Sequence, residues 1–317
     1  MIVEYLSYPG HLTLTKMDQP LSVAIGFFDG IHLGHQQVIE QAKKVAKEKG
    51  IQSAVMTFDP HPSIVLGHRN ERVFYITPLE QKLELLKKMD IDVVIIIRFT
   101  SDFASLSAKD FIEQVLVNNR ILSVTAGFDF SFGAFGKGTM DTLRRESNDR
   151  YAVHEIQRIA DPKEKISSTR IREELTTGDM LAAKRMLGRP YRFPGIVVHG
   201  DKRGRTIGFP TANIAPSEGV FIPKVGVYAV KMLVQDSWVN GVCNVGYKPT
   251  VQDPEGKKLT VEVHLFNFDK TIYGEHVEVA WFDRIRDEQK FNGLDELKMQ
   301  IEKDKQQAEL ILEKALH

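Results

Sequence analysis

Cysteine occurs once in the 317 residues, as Cys243, so no internal disulfide can form and a reducing, cytoplasmic setting is expected. Charge of neither sign is in excess. The 42 Lys and Arg against 42 Asp and Glu argue against a general nucleic-acid or membrane-surface binder. Long apolar runs are also missing: "VVIII" at 93–97 is far too short to cross a bilayer. The opening "MIVEYLSYPG" lacks the basic-then-apolar pattern of a secretory signal. There is no internal repeat and no low-complexity tract. What is left is a chain long enough for two domains with cores of their own, expected to be soluble, with local charged patches still possible.

The first half alternates strands and helices. "LSVAIGFF" (21–28) reads as a buried strand. The run after it places Val38, Ile39, Ala42, Val45 and Ala46 at helical spacing, with Gly50 as a stop. "IQSAVMTF" (51–58), "DVVIIIRF" (92–99), "ILSVTAGFDF" (121–130) and "YAVHEIQRI" (151–159) read as further strands. "TPLEQKLELLKKMD", "SAKDFIEQVLVNN" (107–119) and "SSTRIREEL" (167–175) read as capped helices. Repeated βα units predict a doubly wound α/β sheet with ligands at the carboxyl ends of its strands. Past "LGRPYRFPG" (187–195) the helices stop. Short alternating strands follow and predict a small antiparallel β-barrel. A stripe of Leu294, Leu297, Ile301, Ala308, Ile311, Leu312 and Ala315 predicts a C-terminal helix beside it. The expected domains are therefore 1–186 and 187–317.

The strand-to-helix turn "GFFDGIHLGH" (26–35) is the first candidate site. It puts His32 and His35 at a helix N-terminus, where amides attract phosphate. Gly26, Gly30 and Gly34 allow close approach of backbone and nucleotide, with Phe28 and Asp29 inside the turn. Two imidazoles three residues apart can donate to phosphate oxygens as charge develops there. The same residues would also serve as a plain structural turn. A metal site of Asp29, His32 and His35 is a further possibility, but no other His or Cys cluster supports it. "KISSTRIREEL" offers Ser167, Ser168 and Thr169 at a second helix start, with Arg170 and Arg172 inside it. These suit a triphosphate, or an ordinary N-cap and a solvated basic face.

Together the two stretches resemble the HxGH and SSTxxR signatures of the nucleotidyltransferase superfamily. "TFDPHP" (57–62) and "AGFDFSFGAFGKG" (126–138) are similar to flavin-side motifs of the bacterial FMN adenylyltransferases. The resemblance covers most of 15–186. It implies that His32 and His35 contact ATP phosphates and stabilise departing pyrophosphate, and that Gly34 admits the adenine-bearing part. It implies that Ser167, Ser168, Thr169 and Arg172 bind the triphosphate. Phe58, Pro60, His61, Asp129 and Phe130 would line the flavin pocket. Phe27 stands where many members carry asparagine.

In the second half, "HGDKRGRTIGFPTANI" (199–214) reads as a glycine-rich basic loop, with Gly200, Gly204 and Gly208 among Lys202, Arg203 and Arg205, suited to covering phosphates or to forming a plain hairpin. Thr211 and Asn213 offer hard oxygen ligands of the kind Mg²⁺ takes. In "LTVEVHLF", alternation sends Val261, Val263 and Leu265 to one face and Glu262 and His264 to the other. Glu262 could accept a hydroxyl proton there, or be an exposed surface residue.

"GRTIGFPTAN", "GVYAV", "PTV" and "VEVHLFNFDKTIYGE" resemble the riboflavin kinase family over about 186–317. This implies Thr211 and Asn213 on Mg²⁺ and ATP, Glu262 as general base on the ribityl 5′-hydroxyl, and a flap over ATP around Gly204, Arg205, Gly208 and Pro210. "RIRDEQKF" (284–291) resembles the flavin-side closing segment, with Arg286 as the best contact. The tandem order is similar to the bifunctional prokaryotic riboflavin kinase/FMN adenylyltransferase family. That resemblance implies riboflavin, FMN and ATP as substrates. Two rivals stay open: nucleotidyl transfer to another phosphate acceptor, and a flavin-binding regulator or RNA-binding barrel without catalysis.

Overall fold

A computed structural model describes residues 1–67, 73–157, 166–200, 204, 208–249 and 257–315. By their contacts the residues fall into two compact units, 1–73 with 79–166, and 74–78 with 167–317.

The first unit is built on a six-stranded parallel sheet: β1 (Ile2–Leu6), β2 (Leu21–Ile25), β3 (Gln52–Asp59), β4 (Val93–Arg98), β5 (Ile121–Gly127) and β6 (Ala152–Ile156). Their order is β1-β4-β3-β2-β5-β6. α1 (Leu33–Lys49) follows β2, and its buried residues are the five that the spacing selects. Gly50 ends it in the left-handed region, at φ 63°. α2 (Pro62–Leu66) and α3 (Leu79–Lys88) follow β3, and α4 (Ser101–Ala104) and α5 (Ala108–Phe111) follow β4. The predicted 107–119 helix makes only one α turn before becoming a π-helix over Ile112–Val117.

The strands are apolar on both faces because both are covered. Val23, Ile25, Met56, Ile95 and Ile97 point into one core, while Ala24, Val55, Val94 and Ile96 point into the other. From β2 the chain winds outward through β3 and β4, then returns to β5 on the other side. The order reverses between β2 and β5, and a doubly wound sheet opens its ligand crevice beyond the carboxyl ends at such a reversal.

Sequence patterning did not reveal β1, α2, α4 or α6 (Met140–Ser147) in this unit. α6 has a strongly polar composition, with Met140 and Leu143 as its buried residues, so its periodicity is faint.

The second unit contains α7 (Ser168–Thr177), α8 (Met180–Leu187) and a closed antiparallel barrel ordered β10-β11-β8-β7-β12-β9. Its strands are β7 (Tyr191–Val198), β8 (Ala212–Pro216), β9 (Gly226–Val234), β10 (Ser237–Pro249), β11 (Lys257–Leu265) and β12 (His276–Arg286). α8 and β8 were not anticipated.

The C-terminal helix α9 runs Leu294–Lys314. Its apolar stripe divides in two. Ala308 and Leu312 are buried against Val227, Ala229 and Val242 of the barrel. Leu294, expected on the packed face, is 63 % exposed, because the first turns look over a cavity instead.

Candidate functional site

In the first unit three loops leave adjacent carboxyl ends of the sheet: 26–32 after β2, 60–61 after β3 and 128–130 after β5. Every first-unit site residue named from sequence lies on these loops or next to them.

The β2 loop is conformationally demanding. Phe28 (φ 56°), Gly30 (φ 88°) and Ile31 (φ 39°) all occupy the left-handed side. Non-glycine residues there cost on the order of 1 kcal/mol or more each. Burial compensates, since Phe28, Asp29 and Ile31 are all nearly inaccessible.

His32 is the N-cap of α1, and its Nδ1 accepts from the backbone N–H of His35 at 3.2 Å. A ring nitrogen that accepts carries no proton, so the neutral tautomer has its proton on Nε2, free of that cap bond. The His32 and His35 rings stack with centroids 3.5 Å apart and 18° between planes. Phe28 meets His35 edge-on at 5.3 Å. Gly34 leaves room for this stack: a Cβ there would sit 3.2 Å from the His32 ring, close enough to push the ring by a few tenths of an ångström. At Gly26 a Cβ would come within 2.9 Å of the Phe28 ring. Both glycines therefore serve the packing of the site's own rings.

The flavin-side residues divide by burial. Phe58 is in the core, against Phe99 and Phe103, and forms a wall behind the loops. Pro60 follows a cis Asp59–Pro60 bond and is half-buried. His61 caps α2 by accepting from Ser63 N–H, and its ring stands edge-on to Phe27 at 4.2 Å. Asp129 is exposed, and Phe130 stacks on Phe132 at 5.7 Å.

Lys82 on α3 was not singled out from sequence. It is buried, donates to the Phe27 carbonyl at 2.7 Å and to Thr57 Oγ1 at 3.2 Å, and burial lowers its pKa to about 8. The negative charges of Asp29 and Asp59 oppose that shift.

Ser167, Ser168, Thr169 and Arg172 open α7, within the second unit's contacts. Ser167 is the N-cap and accepts from Arg170 N–H at 3.2 Å. Arg172 Nε donates to the Phe74 carbonyl at 3.2 Å.

In the barrel, register brings distant residues together. Glu262 on β11 lies opposite Asn213 on β8 and opposite Asn244 on β10. Residues directly paired across antiparallel strands share a face, so Asn213, Glu262 and Asn244 form one row. Val261, Val263 and Leu265 fill the opposite, interior face, as alternation predicts. The Glu262 face is not open surface. It looks into a cavity of about 650 Å³ that Thr211, Asn244, Arg286 and Asp304 also line. That volume falls in the range of small-molecule pockets.

Arg286 reaches across this cavity to α9. Its Nε and Nη2 donate to Asp304 Oδ1 and Oδ2 at 2.9 and 2.6 Å, a two-pronged ion pair. Asn244 and Asp304 are among the polar lining residues that sequence reasoning missed. The one polar residue buried within an apolar helix stripe, Asp304, was the available signal. His264, beside Glu262, has its Nδ1 2.8 Å from the Pro210 carbonyl. Gly204 sits where a Cβ would strike the Phe209 carbonyl, and Gly208 has φ 90° in open space. Arg205, with Lys202 and Arg203, lies outside the described residues.

A hydroxyl (Thr211) and an amide carbonyl (Asn213) are oxygen donors of the kind a hard cation takes. No group of three or more His, Cys, Asp or Glu suited to a metal occurs among the described residues, which leaves the Asp29–His32–His35 alternative unsupported. Among the described residues no helix is long and apolar enough to cross a membrane.

Comparison with known proteins adds the following. The FAD synthetase family profile matches residues 14–170, and the riboflavin kinase profile matches 187–312. A bifunctional riboflavin kinase/FMN adenylyltransferase of Bacillus subtilis is 47% identical over 305 residues, covering 96% of each chain. The protein of that name from Listeria monocytogenes is 47% identical over 90% of each chain. The one from Escherichia coli K12 is 36% identical over 89% of this chain and 90% of its own. Among solved structures, one described as a macrolide-efflux protein from Streptococcus pneumoniae superposes with a TM-score of 0.88 at 34% identity, covering 96% of this chain and 98% of that one.

Proposed function

The chain belongs to the bifunctional riboflavin kinase/FMN adenylyltransferase family, and on that premise we propose how its residues divide the work. It is an enzyme of FAD biosynthesis. One activity phosphorylates riboflavin with ATP to FMN and ADP, and the other adenylylates FMN with a second ATP to FAD and pyrophosphate. We assign the adenylyl transfer to residues 1–186 and the kinase to 187–317. A cytoplasmic setting, with no nucleic-acid or membrane partner, accords with the lone Cys243 and the balanced charge.

The reading rests on one observation: the two matched domains each hold a donor set suited to one of the two reactions. In adenylyl transfer the FMN phosphate is already anionic when it attacks the α-phosphorus, so no base is needed. The task is to hold two anions together and to stabilise charge on departing pyrophosphate. His32 Nε2–H and the imidazole of His35 are the donors for that charge. Ser167, Ser168, Thr169 and Arg172 bind the triphosphate. Gly26, Phe28, Asp29 and Gly34 shape the loop, and Phe58, Pro60, His61, Asp129 and Phe130 form the flavin side.

In the kinase the nucleophile is a neutral ribityl hydroxyl, and Glu262 takes its proton as the γ-phosphoryl moves. Thr211 and Asn213 hold Mg²⁺, which when bound neutralises phosphate charge. Gly204, Arg205, Gly208 and Pro210 cover ATP. Arg286, fixed by Asp304, closes the flavin side of the cavity.

His32→Ala is expected to abolish FAD formation and spare FMN formation, and Glu262→Ala to abolish FMN formation and spare adenylylation of supplied FMN. Chromatographic separation of the flavins over time reads both. Loss of both activities in either folded variant sinks the division of labour. Transfer to another phosphate acceptor in preference to FMN would revive the first rival.

A further inference from the structure

We propose that Lys82 is a positioning residue for adenylyl transfer, its ammonium pinning the Phe27 carbonyl and so setting the strained loop that presents His32 and His35. The inference rests on the assignment of that reaction to the first domain.

Lys82 is 2 % exposed, deep for a lysine, and the negative charges of Asp29 and Asp59 offset only part of the cost of burying it. Its Nζ is held by the Phe27 carbonyl at 2.7 Å, by Thr57 Oγ1 at 3.2 Å, and by the face of the Phe27 ring, 4.3 Å from its centroid. Thr57, itself fully buried on β3, donates to the same Phe27 carbonyl at 2.9 Å. Two donors from two elements thus converge on one backbone oxygen.

Stability is a poor explanation of this arrangement. Burial of the ammonium outweighs the attraction of Asp29 and Asp59, since the pKa still falls to about 8. What the lysine supplies is location. The Phe27 carbonyl is the last backbone acceptor before the chain enters Phe28, Gly30 and Ile31 with their positive φ, and five residues after Phe27 comes the His32 cap. Backbone held in sparsely populated conformations persists only where its surroundings over-determine it. Here the clamp acts where the strain begins. The ammonium also places positive charge behind a loop whose ligands are polyanions, which a neutral donor would not do. At position 27 the chain carries phenylalanine where many members of the resembled family carry asparagine. The structure gives that side chain a use, since its ring covers the ammonium and braces His61.

The test uses the full-length enzyme and follows FAD formation from FMN and ATP, with riboflavin phosphorylation in the same molecule as internal control. Lys82→Met keeps the length and removes the charge. It is expected to lower kcat for FAD formation by about 30-fold or more, to change the KM for FMN less than three-fold, and to leave the kinase rate unchanged. Lys82→Arg, which keeps charge and donors, is expected to recover at least a third of the lost factor on a logarithmic scale. A role in packing alone predicts that Met does better than Arg. If wild type forms FAD and folded Lys82→Met keeps kcat within two-fold, or Arg is no better than Met, the positioning role is overturned and the domain assignment stands. If wild type forms no FAD, the assignment falls and the inference with it. Thr57→Val removes the second donor to the same carbonyl and gives a reading even if Lys82→Met does not fold. A three-fold fall in kcat at constant KM supports the clamp, and no change overturns it.

Discussion

The two proposed sites meet the same demand, polar groups gathered for phosphate chemistry, with different materials. In the first unit the groups sit on consecutive residues of a loop, 26–35, bent through three positive φ angles and braced from beneath by Lys82 and Thr57. In the barrel they sit on flat strands, and Asn213, Glu262 and Asn244 come from three segments aligned by register. A loop site concentrates its chemistry in one stretch of sequence and requires unusual backbone to aim it. A strand site needs no unusual backbone, because pleat and pairing aim its side chains, but its chemistry is scattered along the chain.

Glu262→Gln tests the strand side of this contrast most severely. The amide keeps shape and hydrogen bonding but cannot take a proton. A positioned general base contributes roughly 10²- to 10⁴-fold. Riboflavin phosphorylation is expected to fall by that factor in kcat, with KM for riboflavin changed only a few-fold. Steady-state kinetics at saturating ATP measures it. A fall expressed in KM alone would make Glu262 a binding residue and weaken the picture of a base aimed by register.

The same contrast explains what the sequence disclosed. "GIHLGH" and "ISSTRIR" were readable because each site element is contiguous, and α1 was readable because its five buried residues repeat at helical spacing. Glu262 was found from strand alternation, but the face opposite the barrel interior was taken for possible open surface. Closure by α9 turns that face into a cavity wall, and no local pattern in "LTVEVHLF" encodes a helix thirty residues further on. Asn244 could not be read at all, since its place beside Glu262 depends on the pairing of β10 with β11. Lys82 escaped for a related reason. On α3 it reads as one more solvated lysine in "EQKLELLKK", and only the three-dimensional packing of α3 on β3 buries it.

Asp304→Ala is the next largest effect and probes how far the strand site depends on its helix lid. It leaves the Arg286 guanidinium without its two-pronged partner. Breaking a fully buried pair costs about 3–5 kcal/mol. Arg286 keeps part of its side chain in solvent, so about 2 kcal/mol is the fitting expectation here. Both tryptophans, Trp238 and Trp281, lie in barrel strands, so tryptophan fluorescence during urea unfolding reports the second unit selectively. The variant's midpoint should move to lower urea and the KM for riboflavin should rise, while adenylylation of supplied FMN is unaffected. An unchanged midpoint would mean that α9 is held by Ala308 and Leu312 alone.

Gly34→Ala carries the smallest expected effect and asks how finely the loop site is set. Gly34 has ordinary helical surroundings, so the methyl group brings no backbone penalty and even favours the helix slightly. Among the described residues the atoms it would crowd belong to the His32 ring, 3.2 Å from the added Cβ, so the ring must give by a few tenths of an ångström and the stack on His35 must shift with it. Misplacement by a full ångström is worth about 10²-fold in rate, so a shift of this size should cost about five-fold in kcat for FAD formation. Stability and the kinase rate should hold at wild-type values, which separates a change of aim from a change of fold. A full-rate Gly34→Ala enzyme would show that the His32 ring has slack. The loop would then owe its precision to the backbone held from below by Lys82 and Thr57, and not to the packing of the two imidazoles against each other.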